Sequence, residues 1–498
     1  MITSNAVVGG SYARVIAAFL REWRAVSAAP TRPAYVIELG SGSGRLGYHL
    51  VTRLVQRLAA MPSLGDVPVT YVMTDLAART IETLRRHEKL RPFVEAGRLD
   101  FAILDAAAPG PVRLLESGAV LSAGTLDAPI VVLANYVLDS LPQDSFSVVG
   151  DEVIEHLATT NALPGANPHE LRSLDDFEIE WTRRPTLAGP RYPDPDVEAL
   201  FREVTAPGRN RSVLFPIVAL RCLRNLQSFT GAPLLLLSAD KGYGADPATL
   251  SLDGPYLAKH GSVSLMVDYA VLAADARRHG GVGLLAPRPA HLTVGAFVYD
   301  PQRRRWPELE LAYADAVERA GPDDFFTLAQ FIEEGVAHAE LEHIVAWLRT
   351  AEWDGSVFRH VFDRLLEILT TIGPDPELGR VLELVEASYF PIGEDHDLPQ
   401  QLAILHWHMG DHEACLRLMR WSERIHGANV DRYLGQALCL MALGQVEEAF
   451  TPARRAASAE GAPAIALELY QFLWQRQDQP HRLTAAEWSE AIAGFRPG

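Results

Sequence analysis

The chain has 498 residues, 48% hydrophobic and 22% charged, with 63 acids against 45 bases and a formal net charge of −18. That length predicts two or three domains, and the acid excess argues against nucleic acid, whose binding rests on a basic footprint. No apolar run nears the roughly 20 residues that span a bilayer, no secretory signal opens the chain, and Cys222, Cys415 and Cys439 form no CxxC pair; no membrane, structural zinc or disulfide framework is expected, and a cytoplasmic setting is.

In chain order, the first predicted strand is Tyr35 to Leu39. It carries Glu38 and breaks at once into Gly40-Ser41-Gly42-Ser43-Gly44 before a helix over Gly44 to Ala60. Alternating glycines permit positive φ and close approach to a ligand, and the helix N-terminus directs free N–H groups the same way. Gly42 to Gly47 fits GxGxxG, a weak dinucleotide signal by itself. Glu38 counts against a pyrophosphate, whereas S-adenosylmethionine carries an ammonium and a sulfonium that a carboxylate favours. The first expectation is therefore S-adenosylmethionine, with NAD as the competitor.

Further strands are predicted at Val69 to Met73, Leu99 to Leu104, Ile130 to Ala134 and Leu234 to Ser238, with a closing pair near Val282 to Leu285 and Leu292 to Tyr299. Helices are predicted over Ala77 to Glu88 and Ser264 to His279. Strands alternating with helices give an α/β fold, a Rossmann-like sheet of seven strands. Residues 150–210 interrupt the alternation, are rich in proline, and are read as an insertion and substrate lid. The domain so defined is 1–300.

Beyond Pro301 the pattern is helical: Phe325 to Thr350, Ser356 to Ile372 and Glu377 to Ala387, then an internal repeat. Ala403 to Ala437 and Gly410 to Gly444 both span 34 residues, the tetratricopeptide period. Units are expected at Pro399 to about His426 and Asp431 to about Gly461, giving a helical linker over 301–396 and repeats over 397–498 that dock a protein or peptide. His406, Trp407, His408, His412 and Cys415 cluster near the repeat turn; Gly410 breaks the helical spacing a metal would need, and no metal is assigned.

Ligands in such sheets lie outside the carboxyl ends of the strands. The residues there are Glu38, Asp75, Asp105 and Asn135. Glu38 with Gly40, Ser41, Gly42 and Gly44 would hold the methionine end, Asp75 with Leu76 the ribose, and Asp105 with Ala106 the adenine side. The bland alternative for each Asp is helix N-capping.

The fourth strand runs into Ala134-Asn135-Tyr136-Val137-Leu138-Asp139-Ser140-Leu141-Pro142. This segment resembles the A-N-E-x-x-D-A-L-P motif of the MidA-like methyltransferases, a family that includes the mitochondrial complex I assembly methyltransferases. Weaker matches fall in the family's order: Ile2-Thr3-Ser4 with Arg14 to Trp23, and Ser238-Ala239-Asp240-Lys241-Gly242-Tyr243-Gly244. The resemblance covers roughly residues 1 to 300. It implies methyl transfer from S-adenosylmethionine, with a protein arginine as acceptor in the characterised eukaryotic case. Tyr136 replaces the family's Glu, which puts guanidinium specificity in doubt. Asn135, Tyr136 and Asp139 are the candidates for the acceptor side, with Asp144 a further acidic partner. A scaffold that binds the cofactor without turnover is the competing class.

Overall fold

The computed structural model describes residues 4–163, 173–186, 189–208, 210–244, 254–259, 263–286 and 292–476. Ile2 and Thr3 of the family match, parts of the 150–210 insertion and the end of the expected repeat domain lie outside them. The chain divides into two compact units, Met1–Thr327 and Leu328–Gly498. The boundary expected at 300 falls inside the first unit.

The first unit opens with α1 (Ala6–Val26), capped by Asn5, whose side chain accepts from Val8 N–H at 3.0 Å. Then come β1 (Ala34–Glu38), α2 (Arg45–Ala59), β2 (Val69–Asp75), α3 (Ala78–Arg85), β3 (Leu99–Ile103) and β4 (Ile130–Asn135). Next are β5 (Asp144–Val149), β6 (Glu152–Ala162), β7 (Phe177–Pro185), α4 (Pro195–Val204), β8 (Arg211–Phe215), α5 (Ile217–Ser228) and β9 (Leu234–Asp240). Then follow α6 (Tyr269–Arg278), β10 (Gly283–Leu285), β11 (Thr293–Tyr299), α7 (Pro307–Tyr313) and a π-helical turn at Ala314–Glu318, and the helix Pro322–Gly335 crosses the unit boundary.

Seven strands form the main sheet in the order β10-β11-β9-β4-β1-β2-β3. The pairs β3–β2, β2–β1, β1–β4 and β4–β9 are parallel, while β11 runs antiparallel to both neighbours. Central strands are apolar up to their carboxyl ends because both faces are covered, and every residue of β1, Glu38 included, is buried. On one face Ile37, Val132, Leu236 and Phe297 share a core with Leu200 of α4, Leu220 of α5 and Leu272 of α6. On the other, Gly47 lets α2 descend onto the sheet: a Cβ there would lie 2.5 Å from Met73 Cε and 2.7 Å from Glu38 Oε2. Strand order reverses between β1 and β4, so the crevice where such sheets bind ligands opens between their carboxyl ends.

Within 150–210 the described residues include β6, β7 and α4, and β6 and β7 join the flanking strands β5 and β8 in a second, antiparallel sheet in the order β8-β5-β6-β7. Tyr192 is buried among Phe146, Phe201 and Phe215, stacking on Phe215 at 5.0 Å, and its hydroxyl donates to Asp144 Oδ2 at 2.7 Å. The helix expected over Ser264 to His279 begins only at Tyr269. Val263–Leu265 pairs with Leu257–Lys259 as a hairpin, and Val267–Asp268 pairs with Gly242–Tyr243, so β-branched residues and tertiary pairing override the helical pattern. Behind the sheet, Arg224 bridges Asp196 at 2.6 Å and buried Asp275 at 3.0 Å, tying α4, α5 and α6 together.

The second unit contains α8 (Leu341–Thr350), α9 (Gly355–Ile372), α10 (Pro376–Ser388), α11 (Leu398–His408), α12 (His412–His426), α13 (Val430–Ala442), α14 (Val446–Ala457) and α15 (Ala464–Arg476). The single helix expected over Phe325 to Thr350 is interrupted by a short 3-10 turn at Val336–His338. Asp354, Asp375, Asp397, Asp411 and Asn429 cap the helices that follow them through side-chain oxygens. From α11 onward each helix packs on the next. Gly410 and Gly444 (φ +78° and +74°) close one set of turns, and Gly427 and Gly461 (φ +81° and +73°) another. Ala403 and Ala437 are fully buried. The histidine cluster is spread over this turn: His406 Nδ1 lies 3.2 Å from Asp411 Oδ2, and the His412 ring packs on Trp407.

Candidate cofactor and acceptor site

The turn after β1 has three left-handed glycines in alternation: Gly40, Gly42 and Gly44 at φ +63°, +50° and +77°. That backbone favours glycine, and it is held from both sides. Ser41 N–H donates to Thr74 O at 2.8 Å, and Leu39 N–H to Leu133 O at 2.9 Å. Gly44 caps α2, placing the helix N-terminus behind the turn. Gly40 and Gly42 are exposed, so their backbone is open to a ligand.

Glu38 occupies a different place from the one expected. Its side chain is buried beneath α2 against Gly47, with the Ser41 hydroxyl donating to Oε2 at 2.8 Å. Burial pushes its pKa up to about 7, opposed by the Ser41 hydrogen bond.

Asp75 lies directly over the turn. Its Oδ2 accepts from Gly42 N–H at 3.1 Å and its Oδ1 from Ala77 N–H at 2.9 Å. Asp105 is exposed and accepts from Ala107 N–H at 2.8 Å, with Ala106 half-buried beside it. Both aspartates thus accept from the backbone N–H two residues further on, a local turn contact; neither caps a helix, since α3 begins after Ala77 with no side-chain cap and only a turn follows Asp105. Leu76 is 67% exposed and Ile103, paired in register with Asp75, is 51% exposed. These two apolar side chains at neighbouring strand ends suit the flat face of a base. Ile103 was hidden in the sequence because its alternation reads as an ordinary strand residue.

Across the crevice, the loop after β4 meets the glycine turn: a Cβ on Gly40 would lie 3.0 Å from Val137 Cγ2. Asn135 Oδ1 accepts from Tyr12 OH of α1 at 2.8 Å and from Ala239 N–H at 3.0 Å. Half-buried Tyr136 has φ +52°, a left-handed backbone strained for an aromatic residue, pinned by its N–H to Ala239 O at 3.1 Å. Asp139 follows in a short 3-10 turn, Leu138–Ser140.

Asp240, legible in the sequence only as part of a turn, is a further residue of this site. It is fully buried at the end of β9, its Oδ2 accepting from Asp139 N–H at 3.2 Å and its Oδ1 from Lys241 N–H at 2.9 Å. It is the fastener of the 136–140 loop. Burial, then the neighbouring Asp139 charge, push its pKa up to about 8. Burial also raises Asp139 and Tyr136. Ser264 of the hairpin bonds Asp139, and Lys259 Nζ of the same hairpin reaches Phe177 O of β7 at 2.7 Å. The hairpin thus links the Asp139 loop to the inserted sheet. Asp144 is bound by Tyr192 within that sheet.

The class these features define is an open, mostly parallel α/β sheet with a glycine turn and strand-end acids at its switch point. No family model and no curated protein matches the chain. Solved structures do. A superfamily protein from Burkholderia thailandensis bound to S-adenosyl-homocysteine is 14% identical, with 72% of each chain covered and a TM-score of 0.38. An uncharacterized superfamily protein from the same organism is 14% identical over 71% of this chain and 74% of its own, at a TM-score of 0.35. The CMeT domain of the citrinin polyketide synthase is 13% identical over 53% of this chain and 46% of its own, at 0.25.

Proposed function

We propose that the chain is an S-adenosylmethionine-dependent methyltransferase whose helical unit, a tetratricopeptide-like stack, docks a protein or peptide acceptor. The observation that carries the reading is a turn of three left-handed glycines whose first member, Gly40, lies against Val137 of the loop after β4, with Asp75 over the turn. The residues fit the cofactor. Gly40 and Gly42 leave the space that side chains would fill, Asp75 offers a carboxylate to ribose hydroxyls, and Leu76 and Ile103 offer apolar faces. Buried Glu38 separates this cofactor from NAD: a cationic ligand restores its ionised form, whereas a pyrophosphate would oppose it.

When bound, S-adenosylmethionine supplies a methyl group already activated by its sulfonium. The chain's own residues then have positioning to do and water to exclude. Asn135, fixed by Tyr12 and Ala239, and Tyr136, fixed by Ala239 O, set the floor on which an acceptor rests. Asp139 offers a carboxylate to a nitrogen nucleophile, in a loop held by Asp240. The Tyr136 backbone carries strain of roughly 1–3 kcal/mol, held in place by its N–H bond to Ala239 O.

The test is methyl transfer from labelled S-adenosylmethionine into a protein extract, read as S-adenosyl-homocysteine formed. The full chain is expected to form it. A chain ending at Thr327, the limit of the first compact unit, is expected to bind cofactor within about twofold of the full chain and to lose most transfer to protein. Full transfer by the shortened chain would remove the docking role.

A further inference from the structure

Two of the three cysteines meet although 24 positions separate them. Cys415 lies in the first turn of α12 and Cys439 near the end of α13, and their sulfurs are 2.8 Å apart, the Cys439 thiol donating to Cys415. Both are buried, at 1% and 0% exposure. The contact has a structural cause one helical turn away. Gly435 lies four residues before Cys439 and Met419 four after Cys415, and a Cβ on Gly435 would lie 2.8 Å from Met419 Cε. Without a side chain at 435 the two helices close together, and the next layer of their interface is the thiol pair. Cys415 also lines a groove of about 330 Å³ with Ile404 and Trp407 of α11, Met419, Leu434 and Leu438. Of the two cysteines, Cys415 is the one that borders this groove.

We propose that Cys415 and Cys439 are an oxidation site, a thiol pair that a peroxide converts reversibly into a disulfide joining α12 to α13. The step balances. Peroxide takes the Cys415 sulfur to a sulfenic acid with loss of one water. The Cys439 sulfur then attacks it, forming the S–S bond and releasing a second water. Two thiols and one peroxide thus give one disulfide and two waters. The sulfurs need to approach by less than one ångström to reach a bond of about 2.05 Å. The Cys415 contact, with burial, raises the Cys439 pKa, so Cys439 reacts slowly as a nucleophile and Cys415 is the sulfur that meets the peroxide first. Once formed, the bond ties the first 34-residue unit to the second and fixes the width of the groove between them. Cys222, on α5 in the other unit, has no part in it.

The experiment uses the full chain, reduced, freed of reductant and exposed to hydrogen peroxide, then blocked at remaining thiols and mapped by mass spectrometry. The expected product is one linked peptide pair carrying Cys415 and Cys439, two hydrogens lighter than the thiols and lost on adding dithiothreitol. The oxidised helical unit should melt higher by roughly 5 °C or more, and Cys415→Ser and Cys439→Ser chains should show neither change. Separate oxidation of the two sulfurs to sulfinic acids, a pair that includes Cys222, or no linked pair would overturn the proposal. Should a serine variant fail to fold, the peptide map of the unaltered chain decides alone.

Discussion

Replacing Gly40 by alanine is expected to weaken S-adenosylmethionine binding at least about a hundredfold, near 2.7 kcal/mol, while the fold persists. The substitution has two effects, the first on stability and the second on affinity. Gly40 holds φ +63°, and an L side chain there costs roughly 1–2 kcal/mol. The new Cβ would also stand 3.0 Å from Val137 Cγ2, in the space between the glycine turn and the loop after β4. Gly150 supplies the control. It has a similar φ of +58° in the turn between β5 and β6, and a Cβ on it would meet no atom of the described residues within 4 Å. Gly150→Ala should therefore lose stability through backbone strain alone and keep its affinity. Titration calorimetry and urea unfolding of both variants separate strain from ligand exclusion, and a Gly40→Ala chain that binds normally would place the cofactor elsewhere.

The second large effect is a fall in stability as pH rises from 6.5 to 9. Glu38 and Asp240 hold their protons in the folded chain up to about 7 and about 8, whereas in the unfolded chain both ionise near pH 4. The folded state therefore binds more protons than the unfolded state across this window, and stability declines until both groups have ionised in the fold. Over pH 6.5 to 9 the two contribute a loss of roughly 3 kcal/mol. The window lies above the ordinary histidine pKa, so the lowered histidines, His156, His406 and His412, have already lost their protons and add nothing. Urea unfolding at the two pH values should show the loss. Glu38→Gln and Asp240→Asn should each flatten the dependence, and a slope unchanged in both variants would contradict the assignment.

What the sequence made legible follows its local signals. The strand ends at Glu38, Asp75 and Asn135 were readable because apolar runs stop there, and the glycine turn because alternate glycines have few other uses. The same holds for the turns at Gly410 and Gly444, spaced by the repeat. Long-range pairing was not readable. Asp240 becomes the anchor of the Asp139 loop only when β9 lies beside β4, 101 positions apart. Tyr12 reaches Asn135 across 123 positions. The inserted sheet joins β5 to β8 across a stretch whose prolines read as loop, and Tyr192 within it looked no different from an exposed tyrosine. The thiol pair depends on Gly435, whose absent side chain is meaningful only once Met419 faces it. Glu38 was legible as an acid at a strand end, but its burial beneath Gly47 follows from how closely α2 packs.

The most direct measurement is calorimetric titration of S-adenosylmethionine into the full chain and into Asp75→Ala. Asp75 bridges the glycine turn through Gly42 N–H and is the carboxylate placed for the ribose. Micromolar binding by the full chain, weakened tenfold or more by the substitution, about 1.4 kcal/mol, is the predicted result. Absence of binding to either protein would contradict the methyltransferase reading and leave the glycine turn to another ligand.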